Sequence, residues 1–237
     1  AKGNARAFFG RDHPAWSVTV GDLVEALPRE VQPGSVDRVV LDMLALGMII
    51  PVLPKLIEDF MGGNTAGAAT VFGVFATVWA LMQFLFSPFW GGLSDRLGRR
   101  PILLVSIAGT ALAHTLFYFA HDLWLLFLAR TLAGIFGANI STAMAYIADV
   151  TSAKDRSKNM GLIGAAFGLG FVLGPAIAGM LTGFGENFPA LAAAFLSVVN
   201  FVMAFLVLEE SLGAENRRPR AKKSRLKNIV EKVQRPV

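Results

Sequence analysis

The chain has 237 residues, of which 54% are hydrophobic, and a mean hydropathy of +0.54, too apolar for an ordinary soluble domain. Its 22 Lys and Arg against 17 Asp and Glu would suit a nucleic-acid binder, but 20 of them fall in four segments on one side of alternating apolar runs. Only Lys55 and Arg130 lie elsewhere, which is the charge asymmetry of cytoplasmic loops and argues against nucleic acid as a partner. There is no cysteine, which excludes disulfides and thiol chemistry, and no metal-spaced histidine set, nucleophile motif or phosphate loop is present. An enzyme, a metal site and a cofactor are therefore not expected.

Residues 1–36 are mixed and polar and read as a cytoplasmic arm. Six apolar runs follow within residues 37–208, each close to the roughly 20 residues a helix needs to cross hydrocarbon. The first, about 36–57, holds Asp42, Gly47, Pro51 and Pro54. Interior prolines remove helix hydrogen bonds, so this helix is expected to be interrupted. The second, about 66–90, carries Gln83 and leads into Gly91, Gly92, Leu93, Ser94, Asp95, Arg96, Leu97, Gly98, Arg99 and Arg100. Three arginines and an aspartate cannot remain in lipid, so the chain leaves the membrane and turns back here, on the cytoplasmic side. Pro101 opens the third run, about 101–120, which contains His114. The fourth, about 123–148, contains Arg130, Gly134, Gly137 and Asn139 and ends at Asp149. The fifth, about 160–182, is a ladder of glycines with two small-xxx-small pairs, Gly164/Gly168 and Gly170/Gly174. A bend is expected at Pro175. The sixth, about 189–208, has Asn200 as its polar interruption. Glu209 and Glu210 lead into a basic tail, 209–237, in which Leu226, Ile229, Val230 and Val233 share a helical face suited to anionic lipid; a solvated linker is the simpler reading.

The resulting fold class is an all-α membrane protein of six spans with both termini cytoplasmic. The two triplets of spans superpose as inverted repeats, each led by a helix with one embedded charge, Asp42 or Arg130, and with Gly or Pro interruptions. That pattern points to a transporter's binding region. At about 1.5 Å per residue, Asp42 lies about 9 Å from the inner boundary and Arg130 about 10 Å from the outer one, too far apart for a direct ion pair.

The ten residues from Gly91 to Arg100 resemble motif A of the major facilitator superfamily. Gly170, Gly174, Pro175 and Gly179 resemble motif C of its drug/proton antiporters, departing at Ala178 where glycine is usual. Arg130 and Gly134 resemble motif B, with Ala133 in place of the frequent polar residue. Asp42, Met48, Pro51 and Pro54 resemble the first helix of the efflux branch that includes tetracycline/proton antiporters. The resemblance implies the N-terminal six-helix half of a proton-coupled exporter of small hydrophobic drugs, located in the cell membrane (the inner membrane in a bacterium). The tail then corresponds to the linker joining it to a second half. A fragment or assembly partner without transport, and half of a metabolite or sugar symporter, stay open as alternatives.

By that resemblance, Asp95 and Arg99 form a cytoplasmic latch with Asp149, alongside Gly91, Arg96, Gly98 and Arg100. Asp42, Arg130, Gln83 and Asn139 line the path of substrate and protons. Asp42 is the candidate carrier of a proton or a cationic substrate group. Arg130, a permanent cation, sets the field for a neighbouring acid. The motif C glycines let the fifth helix bend and pack against the other half, or else pack tightly within this one. His114 and Asn200 read as groups satisfied inside the bundle.

Overall fold

The structure, a computed structural model, describes residues 35–213 together with 215 and 217; the expectations for the N-terminal arm and for most of the basic tail lie outside them. Among the described residues the order is α1 (Ser35–Phe60), α2 (Thr65–Leu97), α3 (Arg99–Tyr118), α4 (Leu123–Gly137), α5 (Ile140–Val150), α6 (Arg156–Leu181), a 3₁₀ turn (Thr182–Phe184) and α7 (Phe188–Val207). Helices α4 and α5 are the two halves of one span, so six segments are long and apolar enough to cross a membrane.

Short connections with local caps make consecutive spans antiparallel. The Asn64 side chain accepts from the Gly67 N–H at 3.0 Å to start α2, and Asp122 accepts from the Leu125 N–H at 2.7 Å to start α4, which satisfies N-terminal donors that lipid would leave orphaned. Between α2 and α3 a single residue makes the turn. Gly98 has φ +111°, a conformation that side chains resist. The α2–α3 turn is thus tighter than expected, with Gly91 through Leu97 still helical.

Helix α1 is the axis of the bundle, in contact with α2, α6 and α7. Along α6 the two backbones touch. A Cβ on Gly174 would stand 2.6 Å from the Gly47 Cα, and one on Gly170 would stand 2.5 Å from the Met43 backbone, so glycine is required where they cross. The contacts repeat by symmetry. First span against fifth matches fourth against second, and first against sixth matches fourth against third. That exchange is the signature of two inverted three-helix repeats. The outer core gathers Met48, Ile49, Leu53, Phe75, Phe117 and Leu126, and a smaller inner core gathers Leu103, Tyr146, Ile147 and Ile163.

One expectation about helix continuity is corrected: helix α1 runs unbroken through Gly47, Pro51 and Pro54. Helix α6 is likewise assigned as one helix across Pro175. The fourth span, expected to be interrupted at its glycines, does break, just after Gly137, at Ala138 and Asn139.

Candidate functional site

A cleft with about 570 Å³ of empty space, part of it open to solvent, lies between the N-terminal half of α1 and the C-terminal half of the fourth span. Arg38 and Asp42, one helical turn apart on α1, form its polar wall; Asn139 and Tyr146 of α5 face them; Met43, Ile107, Ile163 and Phe167 are among its apolar lining. The Asp42 carboxylate accepts a hydrogen bond of 2.7 Å from Asn200 Nδ2, which also reaches the Arg38 carbonyl at 3.2 Å. Asn200 is fully buried and so ties α7 to α1. The Arg38 guanidinium lies over the Tyr146 ring, 6.0 Å from its centre. A carboxylate, a cation, an amide and an aromatic ring in an otherwise apolar cleft form the kind of lining that orients a small organic molecule.

Arg130 is outside that cleft. It is 7% exposed and stacks over Trp79 of α2 at 5.4 Å; its Nε has no acceptor among the described residues. Stacking of this kind is worth about 2 kcal/mol when desolvated, well short of what burying a guanidinium costs. Gln83 stands near Gly137, where an added Cβ would come within 3.7 Å of its Nε2. The four residues expected along one pathway therefore divide: Asp42 and Asn139 share the cleft, while Arg130 and Gln83 lie along the α2–α4 contact. Asp42 and Arg130 do not pair with each other.

At the end of the bundle where α2 turns into α3, Arg99 is the hub. Its Nη1 donates to Asp95 Oδ1 at 2.5 Å and to Ser94 Oγ at 2.7 Å, and its Nε donates to Asp149 Oδ2 at 3.1 Å. The structure thus joins the ends of α2, α3 and α5 through one guanidinium. Gly91 lies near Ser141, and Arg96 is exposed. Arg100 donates to the Phe205 carbonyl at 3.1 Å, which adds α7. The motif C positions also divide. Gly170 and Gly174 are buried against α1, so their tight packing lies within this bundle, whereas nothing stands within 4 Å of a Cβ on Gly164, Gly168 or Gly179.

The Major Facilitator Superfamily profile matches residues 39–236. The chain belongs to the Major Facilitator Superfamily. Among its relatives, the class C tetracycline resistance protein of Escherichia coli is 41% identical over 179 residues, covering 76% of this chain and 45% of the relative. The class B protein of Escherichia coli is 42% identical over 171 residues, covering 72% and 42%. The solved structure of the human organic anion transporter MFSD10 (TETRAN) matches with a TM-score of 0.72 at 27% identity, over 81% of this chain and 50% of that one. The chain spans about half the length of these superfamily members. A superfamily of membrane transporters is the setting in which the cleft and the latch are to be understood, and it is not an enzyme class.

Two residues of this superfamily bundle escaped sequence reasoning. Arg38 counts by composition among the cytoplasmic cations, yet it is buried in the cleft wall; its spacing of four from Asp42 was the available signal. Glu210 reads as the start of a tail, yet its Oε1 accepts from the Arg99 N–H at 2.8 Å and from the Leu212 N–H at 3.1 Å. It caps α3 directly over Gly98, where an added Cβ would collide with its carboxylate. Nothing local in the sequence signals that contact.

Proposed function

We propose that this bundle is the N-terminal half of a proton-coupled exporter of small hydrophobic drugs, working by alternating access against a second six-helix half. The observation that carries the reading is Asp42, a carboxylate inside a membrane span, held by Asn200 at the wall of a largely apolar cleft. Intramembrane acids in such positions face a pathway and exchange protons with it. Asp42 takes the proton, the apolar lining takes the drug, and Arg130 supplies a fixed positive charge that a carboxylate or substrate group from outside this bundle neutralises. The Asp95–Arg99–Asp149 latch holds the cytoplasmic ends together in one state of the cycle and opens in the other. Similarity to tetracycline resistance proteins supports export as the direction of transport.

A second reading takes an organic anion as the substrate. It is favoured by the buried Arg130 with its unpartnered Nε and by the likeness to a transporter of organic anions. Proton-driven uptake of a cationic and an anionic dye into inside-out vesicles separates the two. With the complete carrier containing this chain, the first reading predicts uptake of the cationic dye, reduced at least about tenfold by Asp42→Asn. Uptake of the anionic dye alone, lost in Arg130→Ala, selects the second.

A further inference from the structure

The break in the fourth span follows directly on Gly137, and a glycine permits an interruption without forcing one. There is no proline. Gly134 is accounted for by packing, since a Cβ there would stand 2.8 Å from the Trp79 carbonyl oxygen. In an unbroken helix the carbonyls of Ile135 and Phe136 would accept from the N–H groups of Asn139 and Ile140. Interrupted inside a bilayer, such carbonyls must find other donors.

Both do. The Trp90 indole Nε1 donates to the Ile135 carbonyl at 2.6 Å, and the Ser106 hydroxyl donates to the Phe136 carbonyl. The donors come from two different helices, α2 and α3, and both side chains are buried, Ser106 completely. The surroundings are built to hold them. The Trp90 and Phe136 rings lie 5.9 Å apart. Gly109 leaves room for the Phe136 ring, since a Cβ there would stand 2.5 Å from Cδ2. Ala138, Ile102, Leu93 and Phe86 close the cluster around the break.

We infer that Trp90 and Ser106 are positioning residues for the cleft: they capture the two carbonyls that would otherwise rewind the fourth span, and so hold α5 at its own angle to α4. Helix α5, with Asn139 at its N-cap, carries Tyr146 to the cleft that Arg38 and Asp42 line, and its far end carries Asp149 to the Arg99 latch. Trp90 also sits one turn before Ser94, itself bonded to Arg99. The same stretch of α2 therefore holds both the break and the latch. The transport readout below rests on the proposed export function; the structural readout does not.

The test is hydrogen exchange across residues 135–143 of the full chain in lipid nanodiscs, with transport kinetics measured in the complete carrier. In Trp90→Phe/Ser106→Ala, the Asn139 and Ile140 amides regain their helical acceptors. Their exchange slows at least about tenfold, and the KM for the dye rises at least about fivefold with Vmax kept within about twofold. Ser106→Thr, which retains the hydroxyl, behaves as wild type in both. If the double variant does not fold, each single variant is measured in its place and each slows exchange in part. Unchanged exchange in the variants, or equal behaviour of Ser106→Ala and Ser106→Thr, overturns the inference. A wild-type carrier that moves no dye removes the export reading and leaves exchange to decide this one.

Discussion

The first and fourth spans occupy equivalent places in the two inverted repeats, yet they respond to sequence in opposite ways. Helix α1 contains two prolines and a glycine and stays continuous from Ser35 to Phe60. The fourth span contains no proline, only glycines, and breaks just after Gly137. The difference lies in what surrounds each. Helix α1 is held against α6 along a seam where glycine backbones touch around Gly47, while its two prolines lie beyond that seam and are exposed. The fourth span meets two side-chain donors placed where its carbonyls can turn to them. In a bilayer, neighbouring partners decide whether a helix can part with a hydrogen bond; the proline content of the segment alone does not.

That comparison can be broken first at the seam. Gly174→Ala places a methyl 2.6 Å from the Gly47 Cα, and backbone cannot move aside as a side chain does. A loss of about 3 kcal/mol is expected in a mixed-micelle unfolding titration. Gly168→Ala, with open space around it, stays within about 0.5 kcal/mol of wild type. Equal effects at the two positions would show that the seam is not close-packed. A smaller effect sharpens the same point. Pro51→Ala returns an N–H to α1 opposite the Gly47 carbonyl, and because α1 is already continuous, the change in stability is expected to stay under about 1 kcal/mol in the same titration.

The smallest effect is at the C-terminal end of α1. Lys55 pairs with Glu186 in the α6–α7 connection, and the ammonium beside it holds the Glu186 carboxyl below its ordinary value of 4.5. A carboxyl depressed in the folded state contributes stability above that value and loses it as pH falls through the folded one. Both side chains are more than half exposed, so the contribution is slight and salt-screened. Glu186→Gln should remove a small acid-sensitive component from the stability profile below about pH 4.5 and leave neutral pH nearly unchanged.

Much of this architecture was legible beforehand. Apolar run length and the placement of Arg96, Arg99, Arg100, Lys154 and Arg156 gave six spans and their order, because hydrocarbon thickness and charge cost act residue by residue along the chain. The resemblance to motif A, rather than any local spacing, suggested the cluster of Asp95 and Arg99 with Asp149. Tertiary contacts were not legible. Gly91 and Gly92 looked like turn residues but remain helical, since Gly98 alone reverses the chain. Pro51 and Pro54 looked like breaks because local propensity registers the missing N–H alone, whereas α1 continues past both. Arg38 was absorbed into a charge count, and Glu210, Trp90 and Ser106 act through partners more than 25 residues away in sequence.

The most direct test of the account is whether the Asp42 cleft is a watery path that substrate fills. These 237 residues have no cysteine, so a single Ala143→Cys in the α5 wall of the cleft is read against the labelling of the carrier without it, with Leu128→Cys on the exposed face of α4 as the lipid-facing control. In inside-out vesicles of the complete carrier, a membrane-impermeant maleimide should label position 143 and not position 128, and saturating substrate should slow that labelling at least about tenfold. Labelling at 143 that substrate leaves untouched, or no labelling there at all, would contradict the assignment of this cleft to the transport pathway.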